Sequence, residues 1–355
     1  MTIRQFKGLI ATANSLSFIP VNTPCMKHIS ILIPKGDCSL VNVEGCHQLF
    51  NEVNSVLARM GKDPLFKVEL VGITKETTMK KGLFTIHPDV LVDDLHQTDL
   101  IIIPAIFGEK EALLENNKEF IPWLVKQYNQ GAALASLCVG VFLLAGTGLL
   151  NGRKCATHWV EADNFRKMFP EVNLVPDKII TDEQGIYTSG GAYSWLNLAL
   201  YLVEKFAGRD MAIICSKLFE IQIERNSQSA FMIFNPQKQH EDEVIKEAQD
   251  YIEKNYQERI TVDELASKLA ISRRNLERRF KKVTYNSIVE YVQRVRIEAA
   301  KMSLERNREN VNEAMYKAGY NDIKAFRTIF KKYTGVSPLE YRNKYSKGSL
   351  LAEAV

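Results

Sequence analysis

A cysteine stands where an apolar strand gives way to a helix near the middle of the chain. Cys138 lies within a charge-free run, and Gly140 follows two residues later. A side chain on such a strand-turn-helix lies over the edge of a sheet, and the N–H groups that open the helix favour an anion. The spacing predicts an exposed thiol of depressed pKa that could act as a nucleophile. The alternative is a small buried thiol, the commonest state of a free cysteine.

Metal and cofactor chemistry find no support in the sequence. The six cysteines show no CxxC pair, which also disfavours disulfides and a zinc cluster. The glycine-rich stretches are too short to argue for a nucleotide cradle. We therefore expect no metal and no cofactor, and a cytoplasmic location, because this cysteine usage is typical of a reducing compartment. Histidines without companions at metal-ligand spacing are His28, His47, His87, His96 and His240.

The C-terminal third of the chain contains the same sequence pattern twice. Residues 264–291 and 313–341 match at an offset of 50, and Phe280 with its two lysines recurs as Phe330 with two lysines. Each copy has an apolar helix face, a turn and a second helix that begins at a good N-cap, which is Ser272 in copy one and Asn321 or Asp322 in copy two. This pattern predicts two helix-turn-helix units.

The outward positions of both second helices are polar or basic. Residues 271–347 hold 19 Lys and Arg against 8 Asp and Glu, a net charge of +11, whereas the whole chain is only +4. This local excess predicts a surface for DNA phosphates and helices that enter the major groove. The alternative is that these charged residues form an ordinary solvent-exposed helix face. The outward residues are Arg273, Arg274, Asn275 and Arg278 in copy one, and Lys324, Arg327 and Thr328 in copy two.

Strands and helices alternate from residue 27 to about 207. Apolar runs predict strands at 28–33, 66–73, 99–103 and 132–137, and amphipathic segments predict helices at 45–60, 120–129 and 195–206. This alternation predicts a parallel α/β sheet sandwiched by helices, with ligand sites at the carboxyl ends of its strands. The uncharged stretch 131–150 is long enough to span a membrane. Its four glycines favour a buried strand, turn and helix instead, so we expect no membrane partner.

A further set of residues lies on the helix between the two copies and along copy two. It comprises Arg294, Arg296, Ala299, Ala300, Ala318-Gly319-Tyr320, Phe326, Phe330-Lys331-Lys332, Gly335, Ser337-Pro338 and Tyr341-Arg342. In these residues, the segment 241–345 closely resembles the AraC-type transcription regulators. In that family a central helix holds two helix-turn-helix units so that both recognition helices enter successive major grooves of double-stranded DNA. The resemblance implies base-facing roles for Arg274, Glu277, Arg278, Ile323, Lys324 and Thr328. Copy one departs from the family at Ala270, Tyr285 and Ile288, where Gly, Gly and Pro are common.

Several motifs of the first domain occur together. They are residues 99–104, Cys138-Val139-Gly140, residues 145–153, Thr157-His158-Trp159 and residues 188–191. In these motifs, residues 27–222 resemble the PfpI-type branch of the class I glutamine amidotransferase-like domain, which has a flavodoxin-like fold. Fused to an AraC-type DNA-binding domain, this domain is typical of GlxA-type regulators, which sense small nitrogenous metabolites such as amino acids or quaternary amines.

The enzymes of that superfamily use the elbow cysteine with a histidine and a loop carboxylate. Here His158 is the histidine partner, but Val41 stands near the position of the Glu, with Asp37 and Glu44 displaced from it. The missing carboxylate argues against catalysis, so we expect a sensor without catalytic residues. The alternative is a Cys-dependent amidase or hydrolase with an accessory DNA-binding domain. The expected effector site comprises Cys138, Val139, His158, Ala105 and Ile106.

These patterns predict the following organisation of the chain. An extension at 1–26, expected to be disordered, precedes a sensor and dimerisation domain at 27–224. A polar linker at 225–240 could serve as a hinge. The DNA-binding domain covers 241–347, and a tail covers 348–355. The expected partners are double-stranded DNA, a small effector and a second copy bound through the N-terminal domain.

Overall fold

The computed structural model describes residues 26–223, 227–306 and 309–346. The chain divides into two compact units, with the boundary between residues 226 and 227. Apart from Met26, the extension predicted at 1–26 lies outside the described residues, and so does the tail predicted at 348–355. None of the helices in the described ranges is long and apolar enough to cross a membrane.

Unit 1 is built on a mainly parallel sheet. Within residues 26–223 the strands are β1 (Lys27–Ile33), β2 (Phe66–Gly72), β3 (Thr77–Met79), β4 (Phe84–Ile86), β5 (Val90–Leu91), β6 (Leu100–Ile103), β7 (Ala133–Ser136), β8 (Lys154–Cys155), β9 (Asn173–Leu174), β10 (Ile180–Glu183) and β11 (Ile186–Ser189). Seven of them form one sheet in the order β10-β11-β7-β6-β1-β2-β5. Its neighbours are parallel except β10 and β11, and the predicted parallel α/β sheet is confirmed. The antiparallel edge strand was not predicted.

Helices cover both faces of this sheet. They are α1 (Leu40–Arg59), α2 (Lys110–Asn116), α3 (Phe120–Asn129), α4 (Val141–Gly146), α5 (Ala162–Met168), α6 (Ser194–Ala207) and α7 (Arg209–Leu218). Strand β6 shows why both faces are covered, since successive side chains of a strand point to opposite faces. Leu100 and Ile102 join the core that contains Phe50 of α1, whereas Ile101 joins the core that contains Phe142 of α4. All four β6 side chains are buried.

Unit 2 is helical. Its described helices are α8 (Glu243–Asn255), α9 (Val262–Lys268), α10 (Arg273–Thr284), α11 (Ile288–Arg306), α12 (Val311–Lys317), α13 (Ile323–Thr334) and α14 (Pro338–Tyr345). They enclose two separate cores. Leu276 and Phe280 of α10 belong to the first core, and Phe326 and Phe330 of α13 belong to the second. Helix α11 contributes residues to both cores, so it is the shared element of two helix-turn-helix halves.

The segment predicted as a linker at 225–240 is not a free hinge over its described part. Residues 227–240 belong to unit 2, and they include a short 3-10 turn at Ser229–Phe231. Phe234 packs its ring on Tyr291 with 5.2 Å between the ring centres. The polar composition of this segment predicted flexibility. Composition does not show which side chains find partners on the neighbouring helices, so the prediction missed these contacts.

Candidate nucleic-acid interface and ligand site

The two recognition helices of unit 2 are built alike. Helices α10 and α13 are each 12 residues long and each bury one apolar stripe. Ser272 Oγ accepts a hydrogen bond from the Asn275 N–H at 3.3 Å, and Asp322 Oδ1 accepts one from the Lys324 N–H at 2.7 Å. Side chains that cap a helix in this way contribute about 1 kcal/mol each. The cap of copy two is therefore Asp322 and not Asn321.

The repeat seen in the sequence is also a repeat of contacts. Thr284 Oγ1 donates to the Phe280 carbonyl at 2.7 Å, and Thr334 Oγ1 donates to the Phe330 carbonyl at 2.8 Å. Ser287 and Ser337 each open the following helix, and each N–H donates to a glutamate three residues on. Because both copies use the same side chains for the same bonds, their recognition helices are held in the same local frame.

Most of the predicted DNA-facing side chains are exposed on one face of α10 or α13. The exposed ones are Arg273, Arg274, Glu277, Arg278, Lys324, Arg327 and Thr328. Arg273 forms ion pairs with Asp263 at 3.0 Å and Glu277 at 3.1 Å, so part of its charge is used within the unit. Within the described residues Arg274, Lys324 and Arg327 form no ion pair, which leaves their charges available to phosphates.

Two of the residues predicted to contact bases, Ile323 and Thr328, make contacts within unit 2 instead. Ile323 is half-buried and packs against the core of the second half, because it is the first residue of α13 and turns toward that core. Thr328 Oγ1 donates to the Lys324 carbonyl at 2.9 Å, a helix back-bond that occupies its hydroxyl proton. Arg278 Nη2 donates to Asn275 Oδ1 at 3.0 Å and keeps its remaining N–H groups free to point outward.

The turns of the two copies use different residues for the same backbone shape. Gly319 has a φ of +79°, and Ala270, its counterpart in copy one, has a φ of +51°. Helices α10 and α13 end at left-handed residues, Tyr285 in copy one and Gly335 in copy two. A residue with a side chain destabilises the fold by about 1–2 kcal/mol when its backbone is left-handed. The departures of copy one from the family pattern therefore add strain without changing the turn.

In unit 1, Cys138 has the strained backbone of an elbow. Its φ is +55°, and it lies in a short 3-10 turn between β7 and α4. Gly140 allows the turn to pass close to β6, since a Cβ there would lie 2.4 Å from the Pro104 carbonyl oxygen. The Cys138 N–H donates to Ser189 Oγ at 3.2 Å. Strain of this kind at a cysteine is typical of functional sites.

The acidity expected for this thiol is contradicted by its surroundings. Burial raises the pKa of Cys138, even though N–H groups of Val139 and Ala192 hydrogen-bond to the sulfur and favour the thiolate. Glu161 raises the pKa further, and Lys110 lowers it. The expectation was wrong because Cys138 is only 5% exposed. The cost of removing a thiolate from water exceeds the stabilisation that two N–H groups and a helix N-terminus provide.

His158 is used as a helix cap. Its Nδ1 accepts a hydrogen bond from the Val160 N–H at 3.2 Å, so the proton of the neutral ring is on Nε2. Burial lowers the pKa of His158, and the carboxylate of Glu161 opposes that shift. No hydrogen bond joins His158 to Cys138 in the part of the chain that the structure describes. The pair predicted from the sequence is therefore not hydrogen-bonded as a nucleophile and its base would be.

An ion pair between a buried lysine and a half-buried glutamate, which the sequence did not indicate, lies beside the thiol. Lys110, the first residue of α2, has a side chain only 9% exposed, and its Nζ is 3.5 Å from Glu161 Oε1. The ammonium also lies 4.9 Å from the centre of the Phe142 ring. Both charges act on the Cys138 thiol. The pair places one cation and one anion at the same end of the sheet, where no sequence spacing connects residues 51 positions apart.

The remaining predicted site residues are less available. Ala105 and Ile106 are buried to 3% and 1% exposure, and the Ala105 N–H donates to the buried Asn42 Oδ1 at 3.1 Å. Of the displaced loop acids, Asp37 Oδ1 accepts the Lys80 N–H at 2.6 Å and Glu44 is exposed. Glu161 is the carboxylate whose charge reaches the thiol.

Comparison with known proteins connects both units to characterised groups. The DJ-1/PfpI family matches residues 51–205, and a helix-turn-helix domain family matches residues 265–344. The HTH-type transcriptional regulator GbdR of Pseudomonas aeruginosa is 27% identical over 263 residues, covering 72% of this chain and 69% of that protein. An isonitrile hydratase of Pseudomonas putida is 25% identical over 158 residues, covering 44% of this chain and 62% of the hydratase.

A solved structure supports the fold of unit 1. A protein of Vibrio parahaemolyticus described as a candidate transcriptional regulator superposes with a TM-score of 0.50 at 19% identity, covering 55% of this chain and 99% of that one. The family matches cover six of the seven sheet strands with the elbow, and both recognition helices. The chain thus joins a DJ-1/PfpI domain to a helix-turn-helix domain, and over 72% of its length it is similar to an HTH-type transcriptional regulator.

Proposed function

We propose that this protein is a transcriptional regulator that responds to a small zwitterionic or amine-containing metabolite, which binds unit 1 beside Cys138 and alters DNA binding by unit 2. The single observation that carries the proposal is the pair of the buried Lys110 with the half-buried Glu161 at the strained elbow. A buried ammonium is costly to maintain, so its position at the carboxyl ends of the strands, where ligands of such folds bind, favours a role in binding.

The pair suits a ligand that carries both signs of charge. Lys110 can donate to a carboxylate, with Val139 at the start of the elbow turn, while Glu161 can accept from an ammonium group or lie near a quaternary one. His158, half-buried next to Glu161, forms the wall of the same region. Charge-assisted hydrogen bonds contribute about 1.5–3 kcal/mol each, which is sufficient to select zwitterions over neutral amides of the same size.

The ligand proposal is tested by thermal shift followed by calorimetry. Amino acids, betaines and amines are screened against the purified full chain, since a ligand that binds only the folded state raises its stability. We expect Lys110→Met to weaken binding of a hit at least about tenfold, or about 1.4 kcal/mol. Lys118→Met is the matched control, because Lys118 is exposed and pairs with Glu115. Equal affinity of both variants would exclude Lys110 from the site.

We propose that DNA binding uses the exposed faces of α10 and α13 together. Their equal length, matched caps and exposed cations support this arrangement. Affinity for duplex DNA should fall steeply with salt, with a slope that reports the number of neutralised phosphates. Binding that is unchanged between low and high salt would contradict a phosphate-facing role for this surface.

We propose further that the protein acts without catalysis. The raised pKa of Cys138 and the engagement of His158 Nδ1 as a cap leave the thiol without an oriented base. The similarity to an isonitrile hydratase makes hydration of isonitriles, together with amide hydrolysis, the activities to test. Turnover that disappears in Cys138→Ser but persists in Cys155→Ser, a control at another buried cysteine, would instead establish an enzyme.

A homodimer formed through unit 1 completes the proposal. Large apolar side chains are exposed near the loop that follows β1, among them Val41 and Phe107, and on the β3–β4 hairpin at Leu83 and Phe84. Lys80 of that hairpin lies 5.1 Å from the Phe107 ring, so these side chains belong to one region. Light scattering should give twice the chain mass, and Phe107→Glu should shift the protein toward monomer. A wild-type monomer at high concentration would exclude the dimer.

A further inference from the structure

The segment that enters unit 2 from unit 1 is bound along both helix-turn-helix halves. We call residues 227–240 the strap. We propose that the strap takes part in DNA recognition by unit 2. It holds the two recognition helices at the spacing that two neighbouring major-groove elements require. This inference rests on the proposed use of α10 and α13 together, because it concerns how unit 2 chooses between DNA sites.

The start of the strap lies against the second half. Its 3-10 turn at Ser229–Phe231 contacts α13. A Cβ on Gly335, which ends α13, would stand 3.8 Å from both Ser227 Oγ and Ser229 Cβ. The ammonium of Lys344 in α14 lies 4.6 Å from the centre of the Phe231 ring. The strap is therefore positioned at the carboxyl end of the second recognition helix.

The middle of the strap is fastened to the shared helix α11 by a buried charge pair. Lys301 Nζ donates to the Met232 carbonyl at 2.7 Å and to Glu298 Oε2 at 2.8 Å. The same Glu298 oxygen accepts the Phe234 N–H at 3.1 Å. The Lys301 side chain is only 5% exposed. Because a buried ammonium needs all its partners, this contact fixes the strap backbone at Met232 and Phe234.

The end of the strap is tied to the first half. The Phe234 ring stands edge-on to Tyr291, which in turn packs on Phe280 of the first recognition helix. The buried Gln249 donates from Nε2 to the Gln237 carbonyl at 3.2 Å. Lys238 Nζ forms ion pairs with Asp250 at 2.6 Å and Glu253 at 2.8 Å in α8. One short segment therefore contacts both halves and the helix between them.

The geometry of α11 explains why a second connection matters. Its 19 residues span about 28 Å at 1.5 Å per residue, and successive major grooves on one DNA face are about 34 Å apart. Arg296 joins the halves separately. It donates to the Tyr256 and Glu258 carbonyls at 2.6 and 2.7 Å, and its guanidinium lies 5.4 Å from the centre of the Tyr320 ring in the second half. At about 100° per residue, Arg296 lies roughly opposite Glu298 and Lys301 around α11. Contacts on both sides of a helix resist rotation of one half against the other.

The test uses the full chain and duplexes of about 40 base pairs that the wild type selects from a randomised pool, long enough for both grooves. Affinity is measured for the selected duplex, for one in which either element is scrambled, and for one with two extra base pairs between the elements. The variant is Lys301→Met. Lys254→Met is the control, since it removes one exposed charge from α8.

We expect Lys301→Met to lose about tenfold or more on the selected duplex and less than about twofold on the scrambled one. The penalty for the two-base-pair insertion should shrink, because a loosened unit 2 tolerates altered spacing. Lys254→Met should show a small loss of the same size on every duplex. A uniform loss for Lys301→Met, or an unchanged spacing penalty, would overturn the proposal and leave Lys301 with a purely structural role.

A second variant covers the case in which Lys301→Met fails to fold. Lys301→Met combined with Glu298→Met removes both buried charges, so no lone charge is left in the unit. Circular dichroism checks that the helices form. The double variant should show the same shrunken spacing penalty, and a wild-type penalty would overturn the proposal. A wild type that selects no DNA at all would refute the proposed function itself, which distinguishes the two failures.

Discussion

Replacing Gly319 with Ala should damage the second helix-turn-helix far more than the same change at Gly335. Both glycines have left-handed backbone, with φ of +79° and +76°. An alanine there costs about 1–2 kcal/mol of strain, offset by about 0.4–1 kcal/mol because the unfolded chain becomes less flexible. This part of the free energy of unfolding is common to both positions, so it does not separate them.

The positions differ in what a new methyl group meets. At Gly319 the Cβ would lie 2.7 Å from the Gln257 carbonyl oxygen and 2.8 Å from its Cα, both backbone atoms. At Gly335 its nearest neighbours are 3.8 Å away, which is ordinary contact. Overpacking against backbone adds about 1–3 kcal/mol. We expect a loss of about 2–4 kcal/mol at Gly319 and about 0.5–1 kcal/mol at Gly335.

Hydrogen exchange with mass spectrometry measures this difference in the full chain. Local opening of α12 and α13 should become roughly 30- to 800-fold more frequent in Gly319→Ala, since about 1.4 kcal/mol is a factor of ten. Peptides from α6 in unit 1 report any global effect and should not change. If Gly319→Ala and Gly335→Ala speed exchange equally, the close approach of Gln257 to the turn is not part of the fold.

Three further predictions concern individual side chains. Arg278→Ala should cost about 1–3 kcal/mol on a selected duplex and relax its preference at one base position; an equal loss on random DNA would show a phosphate contact only. Cys138→Trp should fill the proposed site and abolish the ligand response in a reporter assay while DNA affinity is kept; unchanged induction would place the site elsewhere. The hydrogen bond from Arg279 lowers the pKa of Asp242, so its stabilisation is complete above the unfolded pKa of about 3.9 and is lost as pH falls through the lower folded value. Asp242→Asn should therefore reduce the loss of stability that thermal melts show as the pH falls below about 4, and an unchanged slope would contradict the pairing.

Local patterns predicted the elements that are long or strongly periodic. Strand β1 and helix α3 lie where the apolar runs placed them, and the second helix of each repeat was found because its apolar spacing matches the helical period. Helix α1 starts at Leu40 and not at Gly45, since Ser39 opens it without a side-chain cap. The short strands β10 and β11 were missed because Asp182 and Glu183 make the first of them read as a polar turn.

The candidate sites were predictable to different degrees for a physical reason. The DNA-facing residues lie on two short helices, so spacing alone places most of them on one face. The neighbours of Cys138 come from four separate segments, and only the fold brings Lys110 and Glu161 to it. Residues 108–119 are rich in charge and read as a solvated helix. A buried lysine in such a stretch has no signal of its own in a single sequence.

The strap constrains how an effector could act on DNA binding. A ligand shifts a conformational equilibrium only if it binds two states with unequal affinity. The polypeptide chain that connects unit 1 to the helices of unit 2 includes the strap. Residues 232–238 of that connection are held by the buried Lys301 and Glu298 and by the Lys238 ion pairs. A state with altered helix spacing must therefore break or rearrange those bonds. We therefore expect an effector signal to depend on the balance between a strap that keeps these bonds and one in which they are broken.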